Sequence, residues 1–139
     1  MAAFNKFNVF VLDLTNKVHN LGSDNLKVML SNVAPVATNA VKTDITEIAA
    51  GNGYAAGGTQ ATLVSNTQTS GTEKLILNNV TFTGAAGSIA TFRYAVLYNS
   101  TPGAGNLIGW YDYGTTLVIT SGNSFQVQFD GTNGVLTLV

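Results

Sequence analysis

Over most of the second half of the chain, hydrophobic and polar positions alternate with a period of two, as strands require because successive side chains point to opposite faces. In Phe92-Arg93-Tyr94-Ala95-Val96-Leu97-Tyr98, the residues Phe92, Tyr94, Val96 and Tyr98 fall on one face and Arg93, Ala95 and Leu97 on the other. Both faces are largely apolar, so this strand is expected to be covered on both sides. Residues 99–106, with Pro102, Gly103 and Gly105, form a turn cluster, because proline removes a donor and glycine admits positive φ. A second strand over residues 107–113 carries Trp110, Tyr111 and Tyr113, broad surfaces suited to cross-strand pairing. Gly114 and Thr115 lead into a further strand at 116–120, and Ser121-Gly122-Asn123 turns the chain again. Phe125, Val127 and Phe129 then alternate with Gln126, Gln128 and Asp130, a strand with one wet face. Asp130-Gly131-Thr132-Asn133-Gly134 is a hairpin signal ahead of a terminal strand at 135–139, which is expected to close the sheet.

The first third carries a different period. Phe7, Phe10, Val11, Leu14, Val18 and Leu21 recur every three or four residues, which predicts an amphipathic helix that Asn5 can cap and Gly22 can end. The rival reading is a strand through Val9, Val11 and Asp13. Leu26, Val28 and Leu30 alternate with Lys27 and Met29 as a half-buried strand, and residues 32–38, interrupted by Pro35, form a crossing loop. A helix of about two turns is predicted next, with Thr43 or Asp44 as cap, Asp44 and Glu47 spaced as in a capping box, and Gly51 as stop. Gly51-Asn52-Gly53-Tyr54-Ala55-Ala56-Gly57-Gly58 is the most permissive backbone in the chain and holds one shape only when anchored, with Tyr54 as the candidate anchor. Residues 59–65 are expected as a strand, 66–72 as a polar loop, and 74–83 as a longer strand bulged near Asn78-Asn79. The fold class is mainly β: an antiparallel β-sandwich or barrel of about seven to eight strands with a short N-terminal helix.

At 139 residues the chain can bury one core, and residues 1–139 read as a single β-rich domain. Charged residues make up only 9%, against roughly 25% in an average soluble domain. A surface so poor in charge suits a chain that works inside an assembly, since interface cores are depleted of charge. The net charge is −1 and the six basic residues are scattered, so nucleic acid is not an expected partner. With no cysteine, disulfides and thiolate metal sites are excluded. The start of the chain lacks an apolar run sufficient for a signal peptide, and Asp13 interrupts the nearest one, so neither secretion nor a membrane partner is expected.

Little in the sequence points to catalysis. Gly51-Asn52-Gly53 followed by Ala56 imitates a dinucleotide-binding loop, but that motif must leave a strand and open a helix, and here a helical pattern precedes it. His19, the sole histidine, lies at the end of the predicted helix, where binding the last carbonyls is the simpler role. Asp44 and Glu47 read as a helix start. Asp112 is placed to pair with Arg93 across neighbouring strands. No enzyme activity, cofactor or metal is expected. Trp110 and Tyr111 point to opposite faces by alternation, so at least one is expected near the surface or a partner, as an interface anchor or a sugar-stacking platform.

Several runs then carry a resemblance: Val18-His19-Asn20-Leu21-Gly22-Ser23-Asp24, Ala34-Pro35-Val36-Ala37-Thr38-Asn39, the stretch from Asp44 to Tyr54, Phe92 to Asn99, and Leu107-Ile108-Gly109-Trp110. Over nearly the whole chain these are similar to a family of small tailed-bacteriophage virion structural proteins; Val11-Leu12-Asp13-Leu14 is more apolar than that pattern. The resemblance implies a head decoration, or cement, protein on the capsid surface, assembled in the host cytoplasm, with the major capsid protein as partner. A homo-oligomer such as a trimer would gain from repeated contacts. Gly51, Asn52, Gly53, Tyr54, Gly57 and Gly58, together with Trp110 and Tyr111, are the candidate interface residues, with the N-terminal segment or this loop expected to order on the shell, and deletion of residues 51–58 expected to abolish capsid binding while leaving the fold intact. A tail or neck component and a host-surface, glycan-binding adhesin are the alternatives.

Overall fold

The computed structural model describes residues 2–139. Ten strands account for most of its regular structure: β1 (Phe4–Lys6), β2 (Leu26–Ser31), β3 (Thr59–Ala61), β4 (Leu63–Thr69), β5 (Thr72–Leu77), β6 (Val80–Thr83), β7 (Phe92–Asn99), β8 (Leu107–Leu117), β9 (Ser124–Val127) and β10 (Leu136–Leu138). One helix, α1 (Phe10–Thr15), lies between β1 and β2, and a single 3-10 turn (Lys42–Asp44) between β2 and β3. The strands form three antiparallel sheets, in the orders β1-β8-β7-β2-β3, β10-β5-β4 and β6-β9. Inward side chains of all three meet in one core that includes Leu30, Leu75, Phe82, Leu97, Ile108 and Val127. The layers are those of a sandwich, not a closed barrel.

The opposite face of the five-stranded sheet is covered as well. Phe7, Met29, Ile45, Val96, Tyr98 and Leu107 form a second buried cluster with Trp110 packed against it. Ile45 comes from the connection between β2 and β3, and Phe7 follows β1, so two irregular segments act as a third layer. This is why β2 and β7 are buried on both faces, and why β2 is more than half-buried.

Two slips in register between β7 and β8 change which residues share a face. One lies between Phe92 and Tyr94, the other between Leu97 and Tyr98. The first turns Phe92 into the main core beside Ala95 and Leu97, while Val96 and Tyr98 belong to the second cluster. Strict alternation had placed Phe92 with Val96. Gly114, at φ +79, sits inside an unbroken β8 rather than ending it.

The predicted helix over residues 7–21 is shorter than expected. Lys17 adopts φ +62, Val18 N–H bonds to Asp13 O at 2.9 Å, and Lys17 N–H bonds to Leu14 O at 3.2 Å, a Schellman closure that ends α1 at Thr15. The second predicted helix is only the 3-10 turn; Asp44 Oδ2 accepts from Ala40 N at 2.8 Å and Val41 N at 3.1 Å, leaving Ile45 free to enter the second cluster. The predicted loop at 66–72 is a hairpin between β4 and β5, closed by Ser70 and Gly71 at φ +51 and +82. The predicted strand over 74–83 divides at Asn78-Asn79 into β5 and β6, which belong to different sheets. The turn at 130–134 forms, with Asp130 Oδ1 accepting from Thr132 N and Asn133 N at 2.9 and 2.8 Å, but its flanks separate: β9 pairs with β6, and β10 takes an edge beside β5. The turn closes no hairpin.

Candidate functional site

The glycine-rich loop is anchored from inside the molecule. Gly51 and Tyr54 exchange backbone hydrogen bonds at 2.8 and 3.0 Å around Asn52 and Gly53, both at positive φ. Asn52 Nδ2 donates to Ser88 O at 2.8 Å, and Ala85 N donates to Asn52 O at 2.9 Å, so the tip is fastened to the turn before β7. The Tyr54 ring is buried 5.7 Å from that of Phe82. Its hydroxyl donates to Glu47 Oε1 at 2.7 Å and accepts from Leu30 N at 3.0 Å. Leu30 lies beyond the reach of short β3, so Tyr54 and Ile48, whose N–H bonds to Leu30 O at 3.0 Å, complete the edge of β2. Glu47 Oε1 also accepts from Gly57 N at 2.5 Å, and Tyr98 Oη donates to Gly57 O at 2.7 Å. Burial pushes both phenols up from their ordinary value, and the Glu47 carboxylate adds to the effect.

Gly51, Asn52 and Gly53 are therefore exposed, whereas Tyr54 and Gly57 are buried and Gly58 is half-buried. The shape exists before any partner arrives, contrary to the expectation that the loop orders on a shell. Deleting residues 51–58 would remove a core tyrosine and the cap of β2, so the fold would not survive it intact. Glu47 was read only as part of a helix start; its role as the hub of this loop depends on contacts that no local spacing announces.

Trp110 and Tyr111 do lie on opposite faces. Trp110 is half-buried over Phe7, with ring centroids 4.6 Å apart, and Tyr111 is buried between Phe4 at 5.2 Å and Phe129 at 6.0 Å. Burial, with the Asp130 carboxylate, pushes the Tyr111 phenol up to about 12. Neither ring is a free platform. Arg93 and Asp112 form the expected pair, bidentate at 2.7 and 3.0 Å, which holds the Asp112 carboxyl below its usual range.

The ionisable groups that stand out belong to another region. His19 is fully buried, 5.3 Å from the Phe10 ring, and its Nδ1 lies 3.1 Å from Asn99 Nδ2. Asn99 Oδ1 accepts from Thr101 N and its Nδ2 donates to Asp24 Oδ2, which fixes the amide. Nδ1 is then an acceptor, and the proton of neutral His19 sits on Nε2. Asp13 Oδ2 is 3.8 Å from Nε2, beyond hydrogen-bond reach, and is instead bonded by Asn106 Nδ2 at 2.9 Å. In front of this network opens a cleft of about 410 Å³ between the end of α1 and the β10-β5-β4 sheet. Leu14, Leu21 and Leu138 give it apolar walls; Lys17, Asn20, Asn66 and Glu73 contribute polar ones.

Burial holds the His19 imidazole below its usual value and outweighs the opposing pull of Asp13 and Asp24. With the folded pKa depressed, the unfolded chain takes up the proton more readily, so stability is lost as pH falls below the unfolded value of 6.5. Burial raises the Glu73 carboxyl, which acts in the opposite sense: its contribution is present at low pH and lost as pH rises through the folded pKa. The His19 part is read from the difference in Tm between wild type and His19→Gln. That difference should change in favour of His19→Gln on acidification from about pH 7 to about pH 5.5, and a constant difference would contradict a neutral buried imidazole.

Among the described residues no group of three or more His, Cys, Asp or Glu side chains is placed to hold a metal ion, and no helix is long and apolar enough to cross a membrane. Comparison of the chain with protein-family models, curated proteins and solved structures finds no match in any of the three.

Proposed function

We propose that this chain is a structural protein of a tailed-bacteriophage virion, and that it decorates the head by bridging neighbouring subunits of the major capsid protein rather than by catalysing a reaction. The observation that carries the reading is a set of exposed aliphatic side chains on adjoining segments of a charge-poor sandwich. Val11 and Leu12 on α1 are 46% and 57% exposed, and Val33 and Val36 on the connection after β2 are 54% and 57% exposed. A hydrogen bond from Asn8 N to Ala37 O at 2.9 Å brings the start of α1 beside the segment that carries Val36. Single exposed aliphatics are ordinary, but apolar groups on adjoining segments of a chain with only 9% charged residues suit a surface that assembly covers. The resemblance of the runs around His19, Pro35 and Tyr94 to small virion proteins supports the same reading. The internally braced loop at residues 51–58 supports it too, because a contact made by a preformed surface loses little ordering entropy.

Cryo-electron microscopy of virions that carry the chain tests the placement: density repeating over the icosahedral shell is expected, and density confined to the tail or neck would replace decoration with the tail reading. Leu12→Asp and Val36→Asp should leave the unfolding midpoint nearly unchanged, since both side chains already face water, while weakening attachment to purified shells by about tenfold or more. Unchanged attachment would remove this face from the contact. A glycan-stacking adhesin built on Trp110 or Tyr111 is the weaker alternative, since Tyr111 is buried and Trp110 is half-buried with its ring packed on Phe7.

A further inference from the structure

The edges of the sheets are finished unequally. β1, β3 and β10, each outermost in its sheet, are three residues long, and β6 and β9 are four. β4, outermost beside β5, is seven. Exposed edges are ordinarily blunted by short strands, charge or proline, because unpaired main-chain groups recruit another strand. Residues 62–72 contain neither a charged residue nor a proline. One irregularity lies at the base of β4, between Leu63 and Ser65, and residues 65–69 pair regularly with β5 beyond it. The turn fixes which groups are free. Ser70 and Gly71, both at positive φ, form a two-residue turn, so Thr69 and Thr72 are the closing, doubly hydrogen-bonded pair. Stepping back by twos, Thr67 and Ser65 also bond to β5, while Asn66 and Gln68 turn N–H and C=O outward. Val135 N bonds to Leu75 O at 2.8 Å, so the residue opposite Asn66 turns its carbonyl to the other side of β5, as this alternation requires. Among the described residues, the outward main-chain groups of Asn66 and Gln68 have no partner, and residues 66–69 are exposed.

The side chains along this edge select the strand that fits it. Ser65-Asn66-Thr67-Gln68-Thr69 runs hydroxyl, amide, hydroxyl, amide, hydroxyl, the same in chemical class from either end. Antiparallel pairing about a two-fold axis at Thr67 sets Asn66 against Gln68 of the partner subunit, Thr67 against its own copy, and Ser65 against Thr69 of the partner subunit. Amides then meet amides on one face and hydroxyls meet hydroxyls on the other, with no like charges directly opposed. The outward residues Asn66 and Gln68 fall opposite one another, so each such pair exchanges both of its main-chain hydrogen bonds. A foreign strand would have to match this pattern, whereas a second copy does so by symmetry. We propose that two copies of this chain associate through β4, joining their three-stranded sheets into one of six strands in the order β10-β5-β4-β4-β5-β10. Growth stops there, because the outer edges are then the three-residue β10 strands. The contact is small and polar, which sets the expected Kd at about 0.1 mM. It uses none of the exposed aliphatics at Val11, Leu12, Val33 and Val36, and it goes beyond the capsid reading: a decoration protein and a tail protein would pair in the same way.

Sedimentation equilibrium of the full chain from about 20 μM to about 2 mM, a range that brackets the expected Kd, should show a monomer–dimer equilibrium. Amide exchange followed by NMR over the same range should slow at Asn66 and Gln68 as the dimer forms. Thr67→Glu is expected to weaken dimerisation by about tenfold or more, because it sets like charges face to face on the axis. In the monomer the same carboxylate lies opposite Lys74, which keeps the hairpin. Thr67→Val retains a β-branched side chain and should dimerise within about twofold of wild type. If Thr67→Glu fails to fold, the exchange of Asn66 and Gln68 in the wild-type chain decides. A chain that stays monomeric at about 2 mM, a trimer, a dimer that folded Thr67→Glu leaves intact, or association without slowed exchange at Asn66 and Gln68 would each overturn pairing through β4.

Discussion

Gly58→Ala is expected to lower the free energy of unfolding by about 3 kcal/mol, combining left-handed backbone strain with a clash that has no easy relief. Gly58 stands at φ +73, and a Cβ there would lie 1.8 Å from Val28 O, 2.6 Å from Val28 C and 2.8 Å from Met29 Cα. All three are backbone atoms of β2, which is held between β3 and β7 and cannot yield as a side chain would. Gly122→Ala is the matched control, since its φ of +81 is close to that of Gly58 but nothing lies within 4 Å of its Cβ. Urea unfolding of the two variants separates strain from collision: Gly58→Ala should lose clearly more. Equal losses would mean that the loop lifts off β2 at little cost and is not part of the rigid body.

Phe7→Ala should be comparably damaging, with a loss of about 3–5 kcal/mol. Phe7 has no exposed surface and packs with Met29, Val96, Tyr98 and Leu107 on the outer face of the five-stranded sheet. If that face is a true core, removing the ring leaves a cavity that strands on one side and two loops on the other cannot close. The change has its own reporter, because Trp110 is the only tryptophan and lies over Phe7 with centroids 4.6 Å apart. Its emission should shift to the red in the folded variant. A loss below about 1 kcal/mol with unshifted emission would make the outer cluster a decorated surface, and the third layer would have to be abandoned.

The β character was legible because Phe125 to Phe129 alternates with a period of two, Phe92 to Tyr98 is a short apolar run rich in aromatic residues, and the turns at 99–106 and 121–123 are spelled by glycine, proline and asparagine. The Arg93–Asp112 pair was legible only as the one opposite-charge pair on adjacent strands; two register slips set Asp112 opposite Tyr94, and the long Arg93 side chain still reaches it. The hairpin of β4 and β5 was not, because Asn66, Thr67, Gln68 and Thr69 are polar on both faces where the arm projects beyond the core. Its one written signal was Ser70-Gly71. The N-terminal helix was overextended because Val18 and Leu21 continue its spacing, although Lys17 turns left-handed and sends them to other neighbours; an L-residue at positive φ leaves no mark in the sequence.

For the candidate site, Tyr54 was legible as an anchor, since an aromatic ring in a glycine-rich stretch has little else to do. Its direction was not: the same ring read as an interface residue lies inside, hydrogen-bonded to Leu30 and Glu47. Glu73 and His19 gave no signal as neighbours of one cleft. They lie far apart in sequence, and only the packing of the end of α1 against the β10-β5-β4 sheet brings them together.

The order of the five-stranded sheet has a consequence in time. β1 pairs with β8, Phe4 opposite Tyr111, and β2 pairs with β7, Leu26 opposite Asn99. At synthesis rates of about 5–20 residues per second, the early strands wait on the order of seconds before their partners leave the ribosome. Until then the run from Leu26 to Leu30 has only the three residues of β3 to pair with along one edge, whereas the β4–β5 hairpin, closed by two residues, can form at once. Completion of the large sheet is thus the slow, late event, and long-range pairing of this kind is slow in general. When many copies are translated together, the run from Leu26 to Leu30 is the segment most exposed to capture by a neighbouring nascent chain.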